Sequence, residues 1–234
     1  MQRNSFSSNL QAKNNKIKKI KLAVLFSGGK DSVYTTGYFL KKNIKPILVS
    51  IIPEKYSFMF HYPNIKWCKL QARAMGLKIY FFKSKSSEEL EVLKKALKKL
   101  KVNSIAAGAI YSNYQKSRIE KLAKELNLKV FFPLWHKDKE FLKKMLSQME
   151  VYITAIAAEG LEKSFLSKRF LAEDVDKLSS LNPPINVFLE GGEGETFVCD
   201  ASFFKKKIKI EKWKIDFKNT SGFAYIKKAK LIKK

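Results

Sequence analysis

The feature that most constrains this chain is the hexapeptide Ser27-Gly28-Gly29-Lys30-Asp31-Ser32, which follows an apolar run at residues 20–26. A short run rich in branched apolar residues reads as a strand buried on both faces. The Gly-Gly turn then leads into residues 32–42, which read as a helix. Glycines at such a turn let successive backbone N–H groups approach a ligand, and the helix N-terminus adds a positive field. Lys30 contributes a full charge, and Ser27 and Ser32 contribute hydroxyl donors. Asp31 would repel bare phosphate, so it suits Mg²⁺ or the orientation of the loop. The spacing matches neither G-x-x-x-x-G-K-[ST] nor G-x-G-x-x-G. The hexapeptide therefore predicts a phosphate grip of another kind, with Ser50 and Gly108 as further candidate nucleotide contacts.

The rest of the chain supplies a frame for that grip. Residues 46–52 and 78–82 read as buried strands, and residues 64–75 as a helix stopped at Gly76. Ser86 is placed to cap a helix over 87–100, where Leu90, Leu93, Leu97 and Leu100 form an apolar stripe. A strand at 104–107, a helix at 113–126 and a strand at 129–132 follow. Alternating buried strands and helices imply an α/β fold with a doubly wound parallel sheet, because right-handed crossovers cover both faces. Residues 17–135 form this nucleotide-type domain, and residues 1–16, polar and without an apolar segment, read as a disordered tail. After Pro133 the rhythm changes to a helix at 138–149, a strand at 151–157 and a helix at 172–181. Strands are expected around Val187 and Phe197, then an antiparallel pair at 206–217 and 222–232. Residues 136–234 thus read as a second, smaller α/β domain closing over the first.

The net charge of +26 invites a nucleic-acid reading. However, all but four of the 47 basic residues are lysines scattered along the chain, and only Arg3, Arg73, Arg118 and Arg169 offer the forked guanidinium. A solvated lysine-rich surface is the better account, and no dedicated nucleic-acid site is expected. No apolar run approaches the roughly 20 residues a membrane helix needs. Two distant cysteines, Cys68 and Cys199, suit neither a metal site nor a disulfide scaffold, which points to a reducing cytoplasm.

Three further blocks carry chemistry. Residues 57–64 (SFMFHYPN) put aromatics and His61 in the loop after the second strand. In residues 108–118 (GAIYSNYQKSR), Gln115 and Arg118 lie one turn before the core positions Ile119 and Leu122, at the end nearest the ligand edge. Arg118 could clamp an anion bidentately, and Gln115 could position substrate. Residues 190–197 (EGGEGETF) alternate glycine and carboxylate, a pattern suited to a loop that approaches a ligand. Glu193 and Glu195 could bind a cation, take a proton from ammonium or help hold Mg²⁺. Gly192 and Thr196 accompany them as candidate substrate contacts. His136 reads as structural.

The hexapeptide resembles the loop of the PP-loop ATPases, or N-type ATP pyrophosphatases. Together with residues 57–64, 108–118, 133–135 (PLW), 160–165 (GLEKSF) and 190–198 (EGGEGETFV), it resembles the diphthine–ammonia ligase family, from about Lys21 to the C-terminus. The resemblance implies an adenine nucleotide alpha hydrolase-like (HUP-type) fold, ATP and Mg²⁺. It also implies a carboxylate activated as an acyl-adenylate and amidated by ammonia, with AMP and pyrophosphate released. The partner implied is translation elongation factor 2 bearing diphthine, and the length suggests the short archaeal form. Diphthine carries a trimethylammonium group, so Tyr111, Tyr114 and Trp135 are candidate walls for it by cation–π attraction. The alternatives are a tRNA-modifying PP-loop enzyme (thiolation or lysidine formation), disfavoured by the cysteine spacing, and an ATP sensor without turnover.

Overall fold

The structure, a computed structural model, describes residues 20–53, 64–85 and 87–234. Its first layer is a parallel sheet of β1 (Leu22–Leu25), β2 (Ile47–Pro53), β3 (Ile79–Ser84), β4 (Ser104–Ala106) and β5 (Lys129–Phe131), in the order β3-β2-β1-β4-β5. The chain builds outward from β1 to β3, then returns to the other side of β1 for β4 and β5. That reversal opens a crevice beyond the carboxyl ends of β1 and β4, where ligands bind in open α/β sheets. Ser27 and Gly108 each lie two residues past the ends of these strands, so the predicted grip lies at the switch point.

The helices divide between the two faces. On one face, α3 (Glu89–Leu100) and α4 (Asn113–Glu125) bury Leu93, Leu97 and Ile119 against Val49, Ile51 and Ile105. The opposite face packs on α1 (Lys30–Leu40) and α2 (Cys68–Met75), which bury Val33, Phe39, Ala72 and Met75. α2 ends at Gly76, whose φ of 69° lets the chain reverse at its C-cap. Ser86 lies outside the described residues.

The second layer is an antiparallel sheet of β6 (Met149–Ala157), β7 (Gly194–Ala201), β8 (Lys207–Lys218) and β9 (Ser221–Ile232), in the order β7-β6-β9-β8. It carries α5 (Lys139–Ser147) and α6 (Ala172–Ser179), and its apolar face continues the α1–α2 core through Val151, Ile153, Phe197 and Val198. Hydrogen bonds reinforce this join. Asn64 donates to Ala224 O and accepts from Ile226 N, both at 2.9 Å, and the Trp67 indole donates to Ile226 O at 2.8 Å.

Two expectations change. β3 lies at the sheet edge rather than inside it, which leaves Tyr80 exposed. The strand expected around Val187 is a turn, because Asn186 Oδ1 accepts from Phe188 N at 3.0 Å and folds the chain back on itself. Phe188 is buried through that turn instead of through a strand.

Candidate active site

α1 starts at Lys30 with Gly29 as its N-cap, so Lys30 and Asp31 belong to the first helical turn. Ser32 Oγ is the centre of the loop. It accepts from Ser27 N at 3.3 Å and Gly28 N at 3.2 Å, and it donates to Gly29 O at 3.1 Å. Gly29 N donates to Ser27 Oγ at 3.3 Å. The N–H groups of residues 27–30 thus gather at the N-terminal end of α1, each met by a hydroxyl oxygen of Ser32, Ser27 or Thr196, where the helix field favours negative charge. Gly28 adopts φ +83°, and a Cβ there would stand 2.5 Å from Gln71 Oε1 and 2.8 Å from Cys68 Sγ.

The second sheet clamps this loop. Lys30 N donates to Thr196 Oγ1 at 3.1 Å, and Val198 N donates to Gly28 O at 3.1 Å. Gln71 Nε2 bridges Gly28 O and Val198 O at 2.8 Å each. A cleft of about 920 Å³ results between the grip and β7, reached by Ser27, Asp31, Gly108, Gln115, Glu195 and Thr196 among others.

Three charged groups meet beside the grip. Lys30 is buried, and its Nζ donates to Asp31 Oδ2 at 2.9 Å and to Phe188 O at 2.5 Å. Asp31 Oδ1 is buried without a hydrogen-bond partner among the described residues. Such an oxygen is costly unless a cation or donor meets it, so this carboxylate fits a metal ligand. No group of three or more His, Cys, Asp or Glu suited to a metal occurs among the described residues. A Mg²⁺ shared with nucleotide phosphates needs only one or two protein carboxylates. Glu190 is the third group, accepting from Ile110 N at 2.8 Å and Tyr111 N at 2.7 Å. Burial pushes its carboxyl above the usual glutamate range; nearby Asp31 adds to this, while the two N–H groups and Lys30 oppose it.

The remaining candidates divide. Gly192 and Thr196 line the cleft with Glu195. Glu193 is not among the cleft-lining residues; it turns back to accept from Gly191 N at 2.7 Å and Asn186 N at 3.4 Å. Ser112 caps α4 by accepting from Gln115 N at 3.2 Å, and Gln115 and Tyr114 face the cleft. Arg118 lies behind Tyr114, in contact with its hydroxyl and with the guanidinium 4.6 Å from its ring centroid. Tyr111 and Trp135 stand outside the cleft, stacked with His136 at 5.7 and 4.8 Å, with Lys116 also 4.6 Å over Trp135. The Ser50 hydroxyl is taken up by Phe26 O at 2.5 Å. His61 lies outside the described residues. Cys68 and Cys199 are both buried, and burial pushes both thiols up.

Glu190, Gln71 and Phe223 were not singled out from the sequence. Gln71 had a legible signal: it shares a helical face with Cys68, Ala72 and Met75, a polar residue inside a buried stripe. Glu190 belongs to the glycine–carboxylate block, but nothing in its spacing separates it from its neighbours. Phe223 is one apolar residue among many in an alternating strand.

A parallel sheet of this order, with a glycine-rich strand-to-helix loop at its switch point and a cleft walled by carboxylates, defines a HUP-type α/β protein. The diphthamide synthase N-terminal domain model matches residues 20–130, and the diphthamide synthase C-terminal domain model matches residues 137–232. The chain is 30% identical to a diphthine–ammonia ligase of Rattus norvegicus, with 88% of each chain covered. It is also 30% identical to one of Schizosaccharomyces pombe, covering 89% of this chain and 39% of that one. The chain belongs to the diphthine–ammonia ligase family. Among solved structures, it is similar to a predicted subunit of tRNA methyltransferase from Methanocaldococcus jannaschii (TM-score 0.45, 19% identity, 79% of this chain and 98% of that one), a likeness too remote to bear on function.

Proposed function

We propose that this chain amidates diphthine on translation elongation factor 2, using ATP and ammonium and releasing AMP and pyrophosphate in the cytoplasm. The observation that carries this reading is the single cleft joining the Ser27–Ser32 grip to Glu195 and Thr196, with Lys30 N bonded to Thr196 Oγ1. A phosphate-binding turn and a carboxylate-bearing wall face one volume, as the activation of a carboxylate followed by amide formation requires. Residues 17–135 act as the nucleotide unit, and residues 136–234 as the substrate unit.

Ser27, Gly28, Gly29 and Ser32 hold phosphate oxygens through N–H and hydroxyl groups that exchange their present bonds to Ser27 Oγ and Ser32 Oγ for the ligand, and Gly108 keeps the neighbouring wall low. Lys30 offsets charge that develops on the nucleotide. Asp31 Oδ1 would hold Mg²⁺, which would supply charge neutralisation when bound. Gln115 and Gly192 position the substrate. Glu190 accepts the proton that ammonium must lose before it can attack, because its raised pKa makes it the stronger base. Glu195 holds positive charge at the substrate end, and Glu193 braces the turn that presents it.

The test is to incubate the protein with ATP, ammonium and diphthine-bearing elongation factor 2, measuring AMP and the carboxylate-to-amide mass change. Lys30→Ala and Glu195→Gln should each slow the reaction at least about 100-fold, in line with removing an electrostatic contact to the transition state. Wild-type rates in both variants would refute the assignment. A requirement for tRNA would support the tRNA-modification reading, although both thiols that sulfur transfer would need are buried.

A further inference from the structure

The face of the second sheet that borders the cleft continues beyond it as a row of lysines. Ala157 on β6 and Ser221 on β9 are directly opposed, and both line the cleft. Ser221 is opposed on its other side by Lys218 of β8. Directly opposed residues of neighbouring strands share a face. From this end the β8–β9 ribbon runs about 30 Å to Lys230, at about 3.4 Å per residue. Lys214 and then the pairs Lys212–Lys228 and Lys209–Lys230 follow on the same face, all of them exposed. Register irregularities between Ile210 and Lys212, and between Lys212 and Trp213, leave Glu211 and Lys227 as extra residues and keep both pairs there. The opposite face of the ribbon is apolar and buries Ile208, Ala224 and Ile226.

Like charges directly opposed across a ladder repel, so the fold gains nothing by setting lysine against lysine twice in succession. Glu211 offsets part of this repulsion, meeting Lys228 at 3.1 Å and Lys230 at 2.5 Å. Lys209, Lys212, Lys214 and Lys218 have no ion pair among the described residues. Lysines on an edge strand deter pairing with another sheet, which accounts for those of β8. Lys228 and Lys230 belong to β9, which lies inside the sheet, and edge protection does not explain them.

An acidic surface laid along the ribbon converts this repulsion into attraction. Nucleic acid is the poorer fit, because the face carries no arginine, and Arg73, Arg118 and Arg169 lie on other elements. A macromolecule that extends one side chain into the cleft must rest on the surface beside it, and the lysine face begins there. We infer that the lysine face of the β8–β9 ribbon docks an acidic segment of the protein whose side chain enters the cleft. That this protein is elongation factor 2 rests on the proposed function; the docking face itself rests on the ribbon's charge and its continuity with the cleft.

The experiment combines Lys209→Gln, Lys212→Gln, Lys228→Gln and Lys230→Gln in a ribbon variant. A control with the same loss of charge combines Lys95→Gln, Lys98→Gln, Lys99→Gln and Lys124→Gln on α3 and α4. In amidation of diphthine-bearing elongation factor 2, the ribbon variant should raise the KM for the factor at least about tenfold. Its kcat and its KM for ATP should stay unchanged, and the control should keep the wild-type KM. Lys212→Gln with Lys228→Gln alone should give an intermediate rise. Added salt should raise the wild-type KM for the factor more steeply than that of the ribbon variant. A wild-type KM in the ribbon variant, or an equal rise in the control, with both folded by circular dichroism, would overturn the docking face. A ribbon variant that loses affinity for transfer RNA but keeps its KM for the factor would assign the face to nucleic acid and overturn the proposal too. If wild type does not amidate diphthine, the proposed function falls. Fluorescence anisotropy of a labelled poly-glutamate peptide, bound by wild type and control but not by the ribbon variant, then supports the face alone. Equal binding by all three, or by none, overturns it.

Discussion

Gly108 meets a steric limit set by the backbone of the grip itself. A Cβ there would lie 2.8 Å from the Asp31 carbonyl carbon and 2.9 Å from its oxygen, and backbone cannot swing away as a side-chain tip can. Gly108→Ala should therefore displace the first turn of α1 and weaken ATP binding at least about tenfold, equivalent to about 1.4 kcal/mol. Calorimetric titration with ATP checks this, and unchanged affinity would show that β4 and α1 can part without cost. Glu190 makes a prediction of another kind. Its carboxyl lies above the ordinary glutamate value of 4.5, so it gains its proton, and loses its basicity, at a higher pH than an exposed glutamate. The acid limb of kcat/KM should then lie above pH 4.5, and Glu190→Gln should lower the rate and remove that limb. A pH–rate profile identical in the variant would exclude Glu190 as the proton acceptor.

At the scale of elements, the site depends on how α2 and β7 hold the loop between β1 and α1. Gln71 on α2 donates to carbonyls of both the loop and β7, although it touches no candidate reacting atom. Gln71→Leu should cost about 1–3 kcal/mol in urea unfolding, because buried acceptors lose a donor. It should also raise the KM for ATP through a looser Gly28, and a change in only one of the two would show that the bridge serves stability or binding alone. The elements themselves were largely legible, because the switch from strand-length apolar runs to helical periodicity marked each one through β5. The turn at 187–188 was not, because an Asn side chain bonding its own backbone leaves an apolar composition unchanged. The bulge in β6 was equally hidden, since register belongs to a pair of strands rather than to either sequence. That is why Phe223 could not be separated from the other apolar residues of its strand.

Across the whole molecule, the two sheets share one core. Leu22 and Val24 of the first belong to the same buried cluster as Val151, Ile153 and Phe197 of the second. Asn64 and Trp67 extend the join by hydrogen bonds to β9. Continuous apolar burial makes separate unfolding of either sheet expensive, so a single cooperative transition is expected. Far-ultraviolet circular dichroism and tryptophan fluorescence should give coincident denaturation curves, since Trp67 reports directly on the junction; two resolved transitions would disprove the coupling. Among the described residues, the high positive charge has no comparable focus at the cleft, where Lys30 is paired with Asp31.

The Ser27–Ser32 grip, the alternation of strands and helices around it, and the glycine–carboxylate block at 190–197 were determined by sequence alone. Each is a local pattern whose chemistry is carried by neighbours in the chain. Only the tertiary structure decided which carboxylates face the cleft. Glu190 reaches the amides of Ile110 and Tyr111, Glu193 turns into its own loop, and Glu195 joins Ala155 and Phe223 in one row. Three glutamates within six residues have the same intrinsic chemistry. Burial, hydrogen-bond partners and strand register separate them, and those depend on residues far away in sequence.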